Sequence, residues 1–265
     1  MSVWALLVAA GTGERLGGER PKAFVGLGEL PLLAEPMRRL DESGWVDAIV
    51  VAVPHDWEAP AILLAEELAA VKVVAVVPGG ATRAESVRAA LAEVPPDALV
   101  VVVHDAARPL VPDDVLERVL APLSEGWDGV VPALPIADTV KTVEGEAVTG
   151  TLSRSELVAS QTPQAFVADK LRAAYQGDVA GATDCASLVE ARGGRVKWVQ
   201  GDPRLLKVTT KADLELLGFG GRVADGSDRD ARGSEPVEAG QRIGVEGRRV
   251  PGRAGLVDAE NVPHT

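Results

Sequence analysis

From Val3 onward, short apolar runs alternate with amphipathic stretches, and a chain built this way has few options besides a Rossmann-like, doubly wound, mostly parallel α/β sheet. Strands are expected at residues 3–8, 46–53, 71–77, 98–103, 129–134 and 195–199. Helices are expected at 32–40, 58–70, 83–93, 113–123 and 167–175, each able to cross back over the sheet. Pro36 fits the first of these only if it falls in the first turn. Thr183-Asp184 then makes an N-cap for a helix through Ala191, residues 205–208 read as a short strand carrying Lys207, and Thr209 or Thr210 caps a last helix to Leu217.

The first strand runs straight into AAGTGERLGGERPK, residues 9–22, where Gly11, Gly13, Gly17 and Gly18 are interleaved with Arg15, Arg20 and Lys22. Glycine lets backbone N–H groups turn inward, and a nest of such groups holds anions. With cations on both flanks, the simplest ligand is a polyphosphate, whose charge is spread over several oxygens. A P-loop would end in Gly-Lys-Ser/Thr, and this loop ends in Arg-Pro-Lys. The dinucleotide fingerprint would need glycine at position 16, which is Leu16. A single loop leaves open a plain strand-to-helix connection with solvated basic residues. Two further clusters narrow that choice: Gly79-Gly80 follows the third strand, and HDAARP, residues 104–109, follows the most strand-like run of the chain. In an open parallel sheet, ligands sit beyond the carboxyl ends of the strands, where all three clusters fall.

The formal net charge of −12 argues against general nucleic-acid or membrane-surface binding, so an anionic substrate needs a local cationic site. Cys185 is the only cysteine, which rules out an intramolecular disulfide framework. The N-terminus lacks a basic n-region and no apolar stretch reaches the ~20 residues that span a bilayer, so a cytoplasmic protein is expected. Residues 138–154 alternate polar with β-branched side chains around Glu144-Gly145-Glu146, which suggests a hairpin exposed on both faces. Such an arm, about 137–156, packs either on its own chain or on a second subunit. The core is expected to resume at 157–161. After Gly218 the periodicity stops, and 221–265, rich in Gly, Arg, Asp, Glu and Pro, read as a disordered tail behind a domain of 1–220.

Taken in order, Ala9-Ala10-Gly11-x-Gly13-x-Arg15 with Pro21-Lys22, Gly79-Gly80 with Arg83 and Ser86, His104 to Pro109, Thr162-Pro163-Gln164, Thr183-Asp184 and Lys207-Val208-Thr209 resemble the 2-C-methyl-D-erythritol 4-phosphate cytidylyltransferases of the non-mevalonate isoprenoid pathway. The opening loop is shared by many nucleotidyltransferases; HDAARP, TPQ and the late Lys-Val-Thr are more specific. The resemblance implies a nucleotidyltransferase-type sheet with a protruding β-arm. It also implies attack of a polyol phosphate oxygen on the α-phosphorus of CTP, with Mg²⁺ bridging the triphosphate and pyrophosphate leaving. Such a step needs positioning and charge stabilisation more than a general base, because the attacking oxygen is already ionised.

Carried over residue by residue, the resemblance gives Arg15 and Lys22 the transition-state charge, with Lys22 at the α-phosphate. Ala9, Ala10, Gly11, Gly13, Gly79, Gly80, Ser86 and Ala106 would cradle CTP. Arg154 and Lys207 would grip the acceptor, helped by Arg108, Thr139, Thr162 and Thr183. Asp105 would hold a substrate hydroxyl or help place the metal, which is otherwise held by CTP phosphates. Family members are homodimers whose arms cross, so Thr139 and Arg154 would serve the partner's site. His104 is expected to pack at the strand end, not to bind metal. Two positions depart from the family pattern: Ala81 stands where an acidic residue follows the glycine pair, and Cys185 where glutamate is frequent. The tail lies outside the resemblance and lacks the Asp-x-His motif of the cyclodiphosphate synthase to which some members are fused. Ribitol 5-phosphate cytidylyltransferase and a noncatalytic nucleotide-binding module on the same fold are the competing readings.

Overall fold

The structure is a computed structural model and describes residues 2–13 and 20–224, with the side chains of 219–224 left aside. Its centre is the strand β1 (Val3–Val8), which pairs in parallel with β4 (Ala48–Val53) on one side and β6 (Val100–Asp105) on the other. β5 (Val73–Pro78) extends the parallel set beyond β4. All six residues of β4 and of β6 are buried, as their near-continuous Val/Ile/Ala composition requires of strands covered on both faces.

The period of two along these strands splits the core. Ala5, Leu7, Ile49, Val51 and Val102 face one layer, formed by α1 (Ala34–Glu42), α2 (Glu58–Glu67) and α4 (Asp113–Leu120). Leu6, Val50, Ala52, Val101 and Val103 face the other, formed by α3 (Arg83–Ala92), α5 (Ala168–Tyr175) and α6 (Cys185–Ala191). Pro36 does fall in the first turn of α1, where its missing N–H is of no consequence.

The sheet departs from parallel where β11 (Gln164–Val167) inserts antiparallel between β6 and β7 (Gly129–Pro135). β10 (Val158–Ser160) also runs antiparallel to β7, and β12 (Val196–Gln200) pairs with β7 in parallel. This result corrects two expectations. β10 is exposed, so the core resumes only at Gln161, and Gln164, the last residue of TPQ, begins a central strand that is too short and too polar at its start for an apolar pattern to reveal. β6 likewise runs on past Val103 through His104 and Asp105, because buried polar residues can occupy strand positions when they are hydrogen-bonded.

Residues 205–208 are not a strand. Asp202 caps a 3-10 turn, Pro203–Leu205, and irregular chain follows, held by Val208 N–H donating to Ala107 O (2.8 Å) and by the fully buried Leu205 and Val208 side chains. The last helix, α7 (Lys211–Ala224), continues beyond Leu217, so 221–224 belong to it and not to the tail; glycine weakens a helix but keeps its backbone N–H donor. Residues 225–265 lie outside the described residues. A small hairpin of β2 (Gly26–Leu27) and β3 (Leu30–Pro31) precedes α1.

β8 (Lys141–Glu144) and β9 (Ala147–Thr151) form the expected hairpin around Gly145 and, among the described residues, pair only with each other. Val143 and Val148 are 65% and 63% exposed on it.

At the opposite end of the chain's logic, the carboxyl ends of β1, β4 and β5 are pulled together by backbone bonds that outlast the strands: Ala9 N donates to Ala52 O and Gly79 N to Val53 O, both at 2.7 Å. A Cβ at Gly79 would lie 2.4 Å from Ala10 Cβ and 2.8 Å from Ser86 Oγ, so only glycine lets these two loops touch. Gly79→Ala is therefore expected to destabilise the fold by roughly 1–3 kcal/mol and to raise the KM for the ligand of the adjacent cleft; thermal melting and steady-state kinetics check the two effects.

Candidate active site

Three loops leave the sheet side by side: residues 9–13 after β1, Gly79-Gly80 after β5, and Ala106-Ala107 after β6, whose Ala106 N donates to Val8 O (2.9 Å). The second loop feeds α3 through a capping box. Thr82 Oγ1 accepts from Glu85 N (3.1 Å), and Glu85 Oε2 accepts from Thr82 N (2.9 Å). Ser86, buried one turn in, accepts from Gly80 N–H (3.2 Å) and donates to Thr82 O (2.9 Å), which fixes the glycine loop against the helix start.

The loops enclose a cleft of ≈ 340 Å³ whose wall includes Ala9, Ala10, Gly11, Gly80, Ser86 and Ala106. Lys22 reaches the same cleft from a 3-10 turn, Lys22–Phe24, behind Pro21. Gly13 and Gly79, expected in the nucleotide cradle, do not line this cleft; they let the loops around it approach one another. Gly13 has φ +76°, and a Cβ there would lie 2.7 Å from Lys22 Cβ, so the glycine brings the two ends of the opening loop together. Arg15 lies outside the described residues. Ala81 lines the cleft at the place where the family pattern has an acid.

A second cleft of ≈ 220 Å³ adjoins the first and is lined by Arg108, Thr162, Gln164, Thr183 and Asp184. Arg83, Asp105 and Lys207 line both. Arg83 Nε donates to Asp105 Oδ1 and Lys207 Nζ to Asp105 Oδ2, each at 2.8 Å. Burial on its own would raise the Asp105 pKa; the charges of Arg83 and Lys207 outweigh it and hold the carboxyl well below the usual range. Arg83 is steadied from behind, Nη1 donating to Cys185 Sγ (3.4 Å), which also meets Tyr175 Oη (3.2 Å). Burial pushes the Cys185 thiol up, so a neutral S–H occupies the position where the family frequently has glutamate.

His104 packs at the strand end, as expected. Its Nε2 can only donate to the Arg108 carbonyl (2.9 Å), which leaves Nδ1 as an acceptor for the Thr162 hydroxyl (3.2 Å). Thr162 Oγ1 in turn accepts from Asp105 N (3.1 Å). The neutral tautomer thus satisfies every member of the chain, and burial lowers the ring pKa to about 4. Thr162 spends its hydroxyl on this lock.

Of the residues expected to cradle a nucleotide, the structure brings Ala9, Ala10, Gly11, Lys22, Gly80, Ser86 and Ala106 to one cleft and, next to it, Asp105, Arg108, Thr162, Thr183 and Lys207. Thr139 and Arg154 line neither cleft. Arg154 follows the hairpin in a 3-10 turn, exposed, with Nη1 donating to Ala137 O. Arg83 and Gln164 stand in the quoted motifs but received no role from sequence; only the partners that fold around them reveal one. Among the described residues, no group of three or more His, Cys, Asp or Glu side chains is placed to hold a metal ion. Both Asp105 oxygens are already engaged by cations, Arg83 on one and Lys207 on the other.

A doubly wound sheet with two cationic clefts meeting at its carboxyl edge is an arrangement that suits a nucleotidyltransferase. The chain belongs to the IspD family, 2-C-methyl-D-erythritol 4-phosphate cytidylyltransferase, which it matches over residues 3–219. The cytidylyltransferase of that name from Nocardia farcinica is 50% identical over 216 residues, 81% of this chain and 92% of that protein. The bifunctional IspD/IspF enzyme of Clavibacter michiganensis is 42% identical over 98% of this chain and 67% of its own length, so the likeness extends into the residues after 221 that seemed to lie outside it. The crystal structure of the Thermus thermophilus enzyme superposes with a TM-score of 0.68 at 31% identity, over 82% of this chain and 98% of that one.

Unfolding lets the His104 imidazole take up a proton that the folded chain resists between its ordinary pKa of 6.5 and about 4. The stability linked to its neutral burial is fully present above pH 6.5 and is lost as pH falls toward 4, by roughly 3 kcal/mol. Denaturant midpoints between pH 7 and 4.5 should fall more steeply for the wild type than for His104→Gln; parallel curves would contradict the assignment.

Proposed function

We propose that the chain transfers CMP from CTP to 2-C-methyl-D-erythritol 4-phosphate, giving 4-diphosphocytidyl-2-C-methyl-D-erythritol and pyrophosphate. The observation that carries this reading is the wall of Arg83, Asp105 and Lys207 common to both clefts, because two phosphorylated reactants have to meet across it. The larger cleft, walled by small residues and backbone N–H groups, suits a nucleoside triphosphate; the smaller, with its arginines and threonines, suits a polyol phosphate.

Lys22 stands where charge grows on the α-phosphoryl group and offsets it. Lys207, bound to Asp105, holds the acceptor phosphate in line. Mg²⁺, when bound, neutralises the triphosphate and the departing pyrophosphate. No side chain has to act as a general base, since the attacking phosphate oxygen is ionised near neutral pH. Arg15 takes the role that the family pattern gives it. The exposed hairpin, with Val143 and Val148 uncovered, favours an arm that crosses to a second copy, where Thr139 and Arg154 complete the partner's acceptor site.

Pyrophosphate release from CTP, measured with methylerythritol phosphate and with ribitol 5-phosphate, tests the assignment; preferential use of the ribitol ester would overturn the choice of acceptor. Lys22→Ala should lower turnover at least about a hundredfold with little change in melting temperature, and activity within a few-fold of wild type would refute its role. Mixing Lys22→Ala with Arg154→Ala subunits should restore activity if the arms cross, because one site per mixed dimer is then intact. No recovery would favour sites built within one chain.

A further inference from the structure

Among the described residues, the buried side-chain polar atoms left without a hydrogen-bond partner are Arg83 Nη2, Arg108 Nε and Gln164 Oε1, and all belong to residues lining the smaller cleft. Buried polar groups are rarely left unpaired, so orphans gathered around one cleft point to something that pairs with them there. Two guanidinium donors call for an anion. The amide oxygen calls for a donor, and the ligand that combines the two is a phosphate ester bearing hydroxyl groups.

The direction of the Gln164 amide is fixed by its neighbours. Its Nε2 donates to Asp184 Oδ2 (3.0 Å) and to Ser160 Oγ (3.2 Å). Turning the amide over would set Oε1 against the Asp184 carboxylate, two acceptors face to face. Asp184 cannot easily move, since its Oδ1 caps α6 by accepting from Ser187 N (2.9 Å). β11 anchors the residue between β6 and β7, and Gln164 is 1% exposed. Oε1 is thus a preoriented acceptor on a rigid strand.

We infer that Gln164 is a specificity-determining residue, its Oε1 accepting a hydrogen bond from one hydroxyl of the polyol phosphate while Arg83 and Arg108 supply donors to the phosphate. This inference rests on the acceptor being a polyol phosphate, as proposed above, and extends it to which atom reads the hydroxyl pattern. A site that leaves a buried acceptor unpaired selects against a ligand lacking the matching hydroxyl.

The test compares methylerythritol phosphate with its monodeoxy analogues, using the full-length enzyme and CTP. The wild type is expected to lose roughly ten- to a hundredfold in kcat/KM with one of the analogues. Gln164→Met, close in length and without the acceptor, should erase most of that discrimination while the KM for CTP stays within about twofold. A merely structural role would slow every acceptor alike and leave the discrimination in place, and that result overturns the inference. If Gln164→Met does not fold, the wild type still decides, because equal use of all the analogues overturns the assignment. Failure of the wild type to use any polyol phosphate would instead refute the proposed function.

Discussion

Asp105 holds two cations at once, and the rest of the site is arranged around that contact. It sits at the last position of a fully buried strand, with Arg83 from the start of α3 on one oxygen and Lys207 from the chain after β12 on the other. A buried carboxylate is costly alone, and so is a buried guanidinium; together they hold each other in place, and removal of Asp105 leaves two cations without their counter-charge. The triad also joins segments that are distant in sequence, which makes it as much a clasp for the fold as a feature of the clefts. The surplus positive charge of the three is what an overall acidic protein needs locally before two anions can be drawn to the same edge.

Behind this clasp stands a polar scaffold that fixes the wall of the smaller cleft. His104, Thr162 and the Arg108 carbonyl form one closed chain of hydrogen bonds. Gln161 adds another, exchanging bonds with the Asp202 backbone at 3.0 Å in both directions. Gly201 has to be glycine beside it, since a Cβ would come within 2.2 Å of Gln161 Oε1. These contacts tie β6, β11 and the chain leading to Lys207 into one unit, so the lysine is positioned although no strand carries it.

How much of this could be read from the residues depended on which force shaped each part. The parallel core was legible because Val, Ile, Leu and Ala at a period of two, buried on both faces, have few other solutions, and the helices were placed to within a few residues for the same reason. Asp184 was legible as a cap because an N-terminal acceptor serves a local need. β11 was not, since its place between two strands comes from partners far away in sequence, and Gln164 looks polar until Asp184 and Ser160 are brought to it. The apolar residues of 205–208 promised a strand, yet their burial is achieved by two plugs in irregular chain. At the site, motif spacing found the loops and the charged residues; it could not show that Arg83 belongs to both clefts, because that is a property of the wall and not of any motif.

The sealed, uncharged imidazole of His104 has an effect on rate that differs from its effect on stability. With His104 neutral and Asp105 ionised across the mildly acidic and mildly alkaline range, neither alters the electric potential at the reaction edge as protons come and go. A bend in a rate profile near pH 6 would then come from neither of these two groups, whereas the acceptor's phosphate monoester loses its second proton at about that pH. An enzyme of this design leaves the sensing of acidity to the molecule it consumes.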